Sequence, residues 1–575
     1  MASDGSGLQN RGCVCKKEDF LPKESFQSWN SYIHALSNIK TRFKDRVLAR
    51  SLDNLELQEV RGESHNEMKK TLNCLDIFWF GIGVIMGAGV FVLTGEAARN
   101  DVGPAVILSY LISGITALLS VLCYNEFATE LPVAGASYSY LRVELGDFVA
   151  FIAVGNILFE YIIYGAGVAR SWTSYLATLF NNEPNTFRIH APFLANNYNY
   201  LYPIAVMSSI FICIGACWSI KVLSRFNSIA TIVHMFILAF IIIAGLAKAN
   251  TANFTPFAPF GIRGIMKASS MLFFAYMGFD GVATLGEEIK NPGRDISLGL
   301  IGSMSVIVVL YCVLTATLSL MQPYTHIDVD APFTVAFQAT GMNWAKYIVG
   351  LGALKGMTTV LLTNVLGQSR YFTHIGRTHM APPILASVNK RTGTPVIATV
   401  CMTVANCIVA FFTSLDVLEN LLSISTLFIF SLVDLALLVR RYYVTNETLN
   451  VYKKKLIGLL GLIVASSIAC AVYWAVSNGW IGYVITVPIW FFSILALQLT
   501  LNQARKPKLL GVPLVPWLPS ASIALNVFIM GSIDGASFIR YSIWTGVLLV
   551  YYFLVELHAS YDAAKKLQVE AAGNI

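Results

Sequence analysis

The sequence predicts an all-α polytopic membrane protein with about fourteen transmembrane helices. Three observations carry this expectation. The 575 residues are 55% hydrophobic and only 13% charged, against about 25% charged in soluble domains, and the mean hydropathy is +0.62. Apolar runs recur along the chain at close to the ~20 residues that a helix needs to cross a bilayer. These runs do not alternate in polarity and are too long for the strands of a membrane barrel.

Residues 1–70 are rich in Lys, Arg, Glu, Ser and Asn and read as a cytosolic N-terminal tail. No cleavable signal peptide is expected, because the first apolar run begins near Leu72. Within the tail, Phe43 to Arg50 reads either as a short amphipathic helix along the membrane surface or as a solvated helix. Cys13 and Cys15 lack partners for a metal site and suggest nothing beyond acylation. The spans then fall at 74–95, 103–125, 148–179, 201–220, 226–248, 264–285, 298–321, 345–366, 396–413, 417–439, 456–476, 481–500, 515–533 and 541–558. The third is long enough to require tilt. Seven cysteines inside these runs, such as Cys213 and Cys407, read as packing residues. His374 and His379 fall in a loop after the eighth span and read as surface residues.

Most of the 40 Lys and Arg residues fall on the side of the N-terminal tail. They include Arg370, Arg377, Lys390 and Arg391 after span eight, Arg440 and Arg441 after span ten, and Arg505 after span twelve. The positive-inside rule therefore places both termini in the cytosol, which an even span count requires. The division that follows is a transport core over 71–440, accessory spans over 441–560 and a cytosolic C-terminal tail over 561–575. Asn253-Phe-Thr255 is a glycosylation triplet in an expected outer loop.

Two spans are badly built as straight helices. The first, from Gly81 to Gly95, carries five glycines, each costing a helix about 1 kcal/mol relative to alanine. Either its small residues let helices approach closely, or the helix is broken and its free N–H groups bind an anion. The sixth holds Gly278 and Gly281 around Asp280, a costly carboxylate deep in an apolar run. Two glycine-interrupted spans at corresponding positions of two halves point to a transporter binding site. One break supplies N–H groups for a carboxylate and the other supplies carbonyls for an ammonium, so a zwitterionic α-amino acid satisfies both.

The motifs resemble one family. Gly83 to Gly95 resembles the first-helix motif of the amino acid–polyamine–organocation (APC) transporters. Asn125-Glu-Phe-Ala-Thr-Glu-Leu-Pro-Val-Ala-Gly-Ala-Ser-Tyr138 is similar to their loop after helix two, and Phe273-Phe-Ala-Tyr-Met-Gly-Phe-Asp-Gly281 to their sixth helix. Gly367-Gln-Ser-Arg-Tyr-Phe372, Ala381-Pro-Pro383 and Arg391-Thr-Gly-Thr-Pro395 resemble their loop after helix eight. Two spans beyond twelve, preceded by Val512-Pro-Leu-Val-Pro-Trp-Leu-Pro519, resemble the cationic amino acid transporters, plant-type branch. The resemblance covers residues 70–560 and implies a five-plus-five inverted-repeat (LeuT-like) core with discontinuous helices 1 and 6.

The resemblance also implies roles. Gly87, Ala88 and Gly89 match the backbone that binds the substrate carboxylate. Phe274 matches an aromatic gate. Ala275, Met277 and Gly278 match the carbonyls that receive the α-ammonium. Asp280 matches an acidic gating position, its alternative being a capping or intrahelical hydrogen bond. Glu160 in span three either lines the pocket as partner of a cationic side chain or pairs with Arg170 or Lys355. His234 stands where proton-driven bacterial relatives carry lysine and sodium-driven cousins bind their ion; it reads as a proton switch or as a core histidine. Lys355 reads as buried, with its role open.

These residues point to a secondary transporter importing cationic amino acids: Arg, Lys, and by extension His or ornithine. Membrane potential drives it, and both proton symport and uniport stay open. A neutral amino acid transporter, for glutamine for example, and an amino-acid sensor with little flux are the alternatives. The expected partners are the amino acid, a proton in the symport case and the lipid bilayer, most simply that of the plasma membrane, with the vacuolar membrane as the other choice. No nucleic acid, cofactor or metal is expected, and no nucleophile–base signature or nucleotide loop marks an enzyme or a pump driven by ATP.

Overall fold

The computed structural model describes residues 20–47, 73–86, 89–130, 136–195, 198–218, 220–283, 289–377, 380–389, 394–444, 448–507 and 510–573. Gly87, Ala88, Cys13, Cys15, His379 and the 48–50 end of the expected amphipathic helix lie outside them.

Three short helices open the chain: α1 (Lys23–Phe26), α2 (Trp29–Ser37) and α3 (Ile39–Val47). The first span is split into α4 (Cys74–Ile85) and α5 (Gly89–Glu96), followed by α6 (Val106–Glu130). A connecting helix, α7 (Ala136–Leu145), leads into the long α8 (Asp147–Leu179). Then come α9 (Pro203–Trp218), α10 (Ile220–Leu246) and a second split span, α11 (Gly261–Leu272) and α12 (Phe279–Ala283). The next are α13 (Pro292–Met321), the short α14 (Pro332–Ala339), α15 (Ala345–Arg377), α16 (Val396–Phe412) and α17 (Leu415–Tyr442). The chain ends with α18 (Asn450–Val476), α19 (Ile481–Thr500), α20 (Trp517–Met530), α21 (Gly535–Tyr551) and α22 (Leu557–Gly573).

A helix therefore stands at each of the fourteen expected span positions. Eight described helical stretches are long and apolar enough to cross a membrane, and four shorter apolar helices join them. The one sheet among the described residues is a two-residue antiparallel pair, Ile189–His190 with Tyr200–Leu201, in the connection between α8 and α9.

The packing follows from which faces are apolar all round. Helix α8 is buried along most of its length and packs against α15 and α17, while α6 packs against α13 and α4 against α13. Helices α18 and α19 form a peripheral layer with its own small core, in which Leu438 of α17 meets Ile463, Ile494 and Ile523. The outward faces of α19 and α21 are rows of exposed Ile, Val and Phe, as expected where lipid is the solvent.

The terminal segments meet at one end of the bundle. Phe43 of α3 packs edge-on to Phe148 at 5.4 Å and beside Phe553 at 5.5 Å. Arg42 donates to Ser25 Oγ at 2.8 Å and pairs with Asp562 at 3.4 Å, and Arg46 pairs with Asp147 at the start of α8. The N-terminal segment is thus a docked helical unit over residues 23–47 rather than a plain tail. At the same end, Arg440 bonds Glu130 and Glu144 at 2.6 and 2.7 Å, and Arg441 donates to Glu126 at 2.8 Å.

Three expectations change. Arg370, Arg377 and His374 belong to α15, which runs further than the apolar pattern predicts. Asn253, the acceptor residue of the glycosylation triplet, spends its side-chain nitrogen on the Leu320 carbonyl at 2.9 Å; that is the atom a glycan would need. Cys401 is exposed rather than packed.

Candidate functional site

The two split spans cross at their breaks. Helix α4 ends at Met86 and α5 starts at Gly89. In the sixth span, α11 tightens into a short 3₁₀ turn over Phe273–Tyr276, and Met277 then turns extended, with φ −67° and ψ 152°. Gly278 follows at φ +104°, a conformation that residues with a Cβ rarely adopt. A Cβ added to Gly89 would meet Ala275 Cα at 2.6 Å, and one added to Gly278 would meet Val84 Cγ1 at 2.8 Å. Each break is therefore closed on by a small residue of the other.

The packing reading of the glycine stretch also holds. Cβ atoms added to Gly81 and Gly83 would meet Ser303 Oγ and Thr231 Oγ1, both at 2.6 Å. These glycines seat α4 against α10 and α13.

Breaking a helix frees carbonyls that must find donors. Tyr311 of α13 supplies one: its hydroxyl lies 3.1 Å from the Ile85 carbonyl and 3.2 Å from that of Ala275. It can donate to either and bridges the two breaks. Tyr276 donates to the Tyr110 carbonyl at 2.7 Å, and Tyr110 shares a 2.8 Å hydrogen bond with Thr94. The Ala275 carbonyl thus has a protein donor within reach. Sequence reasoning missed these tyrosines; their signal was a hydroxyl in the middle of an apolar run.

Of the side chains singled out, Glu160 is buried and lies beside Thr426 of α17 and within electrostatic reach of Asp280. Among the described residues, Glu160 and Asp280 have no Lys or Arg partner. The expected structural partners are elsewhere. Arg170 stacks on the Tyr202 ring at 3.6 Å, ten residues or roughly 15 Å along α8 from Glu160. Lys355 is half-buried and neighbours His234. The Asp280 carboxylate lies 3.4 Å from the Tyr161 hydroxyl, which donates to it, and faces the amides at the start of α12. Asp280 thus has hydrogen-bond partners within its own helix, the alternative to a gating role.

Met277 accepts a hydrogen bond at its sulfur from Thr426 at 3.0 Å. Phe274 packs on Tyr164 at 4.9 Å and lies against the bare face of Gly167. Asn364 of α15 donates to the Tyr161 carbonyl at 3.0 Å, and its own carbonyl oxygen is buried without a donor. His234 is buried and edge-on to Phe91 at 5.9 Å. Its ring nitrogens face the backbone of Met86 and Gly352, yet neither makes a hydrogen bond of good geometry. The histidine therefore sits at the first break. Of the ten expected site residues, Gly89, Glu160, His234, Phe274, Ala275, Met277, Gly278 and Asp280 are described and gather around the crossing.

The comparisons agree with this architecture. Residues 72–553 match the family model described as amino acid permease. The chain is 60% identical over 568 residues to cationic amino acid transporter 1 of Arabidopsis thaliana, covering 98% of this chain and 96% of that one. It is 49% identical to cationic amino acid transporter 8, vacuolar, of the same plant, covering 97% and 94%. It is 30% identical to cationic amino acid transporter 4 of Mus musculus, covering 88% and 90%. This chain belongs to the amino acid permease family of the APC superfamily, in the branch of the plant cationic amino acid transporters.

Proposed function

We propose that the protein imports cationic amino acids, arginine and lysine foremost and histidine or ornithine by extension, across the membrane that it spans. Family membership supports reading it as an amino acid transporter. The observation that carries the finer reading is the pair Glu160 and Asp280, two buried carboxylates near the crossed breaks with no basic partner among the described residues. A site with that charge is complementary to a substrate that brings one positive side chain. The backbone around Gly87, Ala88 and Gly89 takes the α-carboxylate, and the Met277 carbonyl takes the α-ammonium, since the Gly278 carbonyl already accepts from the Gly281 amide at 3.1 Å.

The breaks lie five spans apart and pack on each other, which supports the five-plus-five inverted repeat. With both termini in the cytosol, import of a cation runs down the inside-negative potential, worth about 2.3 kcal/mol per charge per 100 mV. Proton coupling is centred on His234, whose unsatisfied ring touches the first break. Lys355 neighbours the same ring, and uniport driven by potential alone is the alternative. The plasma membrane is the proposed location, with the vacuolar membrane as the alternative.

The test is uptake of labelled arginine and glutamine into proteoliposomes, with potential and pH gradient imposed separately. Arginine uptake that rises with inside-negative potential is the expected result. Glutamine preferred over arginine would replace the cationic reading, and bound ligand that does not exchange would replace transport with sensing.

A further inference from the structure

The outer face of the N-terminal helices carries exposed apolar and basic side chains. Trp29 and Ile33 of α2 lie one turn apart and are 72% and 48% exposed. The remaining faces of α2 are held to the body: Ala35 is buried and Tyr32, beside Trp29, donates to the Leu554 carbonyl at 2.9 Å. Phe26, Trp29 and Tyr32 form an aromatic group with ring centroids 5.6 and 5.7 Å apart.

Leu554 is where a longer stripe stops. Ile539, Ile543, Val547, Val550 and Leu554 are all exposed along one face of α21 and its continuation, the spacing of a helix side turned to lipid. Tyr32 is bonded to the last member of that stripe, so Trp29 and Ile33 prolong it past the final turn. Aromatic groups at this level mark the boundary between headgroups and acyl chains. Lys40 and Lys44, also one turn apart, are exposed on α3, whose other side seats Ile39 and Phe43 against the core.

We infer that α2 and α3 form a lipid-binding surface, with Trp29 and Ile33 in the acyl–headgroup boundary and Lys40 and Lys44 against anionic headgroups. Arg42 and Arg46 cannot serve the same purpose, because Asp562 and Asp147 hold them. The lipid surface and the docking surface are thus separate faces of one unit. The docked unit bridges the start of α8 and the C-terminal helix, so lipid contact bears on how firmly those two are joined. That the natural lipid is that of the cytosolic leaflet rests on the proposed orientation.

The test is hydrogen exchange on peptides spanning residues 20–47 of the full-length chain. Nanodiscs carry the same lipid on both faces, so the result is independent of orientation and of substrate. In phosphatidylcholine discs with a third phosphatidylserine, exchange of α2 and α3 is expected to be at least about fivefold slower than in pure phosphatidylcholine, the gain one surface lysine supplies. Lys40→Gln with Lys44→Gln should abolish that difference and leave the phosphatidylcholine rate unchanged. Trp29→Ser with Ile33→Ser should speed exchange in both discs, with α15 peptides unchanged as the control for folding. Equal wild-type rates in the two lipids would overturn the inference. So would protection that disappears when residues 1–19 are deleted, since the chain's own tail would then be the cover.

Discussion

On the proposed function, selectivity turns on Glu160 and Asp280. Their carboxyl groups are buried without a basic partner among the described residues, a place where a cationic ligand would find a partner and a neutral one would not. Glu160→Gln is expected to lower arginine uptake by tenfold or more while glutamine uptake is unchanged or rises; equal loss for both would assign Glu160 to structure. His234 makes a separable prediction. His234→Asn in a well-expressed variant should flatten the pH dependence of uptake while leaving the arginine KM within about threefold. If the pH profile keeps its shape, His234 has no part in proton coupling and uniport driven by potential alone replaces it. Glu160, His234 and Asp280 were legible in the sequence because a titratable group stands out in an apolar run. Tyr311, Thr426 and Asn364 were not, because hydroxyls and amides recur along such spans. Which of them faces a break depends on how each helix is rotated, and periodicity leaves that unspecified when the helix is apolar all round.

The element that matters most is the crossing of two interrupted helices. Gly278 at φ +104° lets the chain turn from the 3₁₀ segment into α12. A Cβ there meets two penalties, backbone strain of order 1–3 kcal/mol and a 2.8 Å approach to Val84. Gly89 bears the closer approach, with Ala275 backbone and side chain inside 2.7 Å of an added Cβ. Gly89→Ala should therefore abolish uptake, whereas Gly281→Ala, with open space around the new methyl, should be close to neutral. Uptake retained in Gly89→Ala would mean that the breaks move apart during transport more freely than this packing implies. Density of glycine marked the stretch of the first span that meets the turn at Gly278, and the separation of five spans told that the two stretches belong together. It did not tell that Gly81 and Gly83 are packing glycines within the same stretch, since their neighbours come from α10 and α13, far along the chain.

At the scale of the molecule, the end that holds both terminal segments is tied by ions rather than by apolar packing alone. Arg440 and Arg441 at the foot of α17 reach Glu126 and Glu130 of α6 and Glu144 of α7. The sequence reading used these arginines only to orient the chain, since a basic pair at the end of a span looks the same whether solvated or paired. Arg441 and Glu126 are both buried, and Glu126 also accepts from the Val512 amide at 2.7 Å. One carboxylate thus joins the core to the segment leading into the accessory helix α20. Breaking a buried pair from one side costs about 3–5 kcal/mol, because the remaining charge is stranded. Arg441→Met should therefore lower the melting temperature of the detergent-solubilised protein by several degrees and reduce its folded yield. Adding Glu126→Gln removes the stranded charge and keeps an oxygen for the Val512 amide, so the double variant should regain most of the loss. Additive losses in the double variant would mean that the two side chains stabilise the fold independently and that the joint between core and accessory helices lies elsewhere.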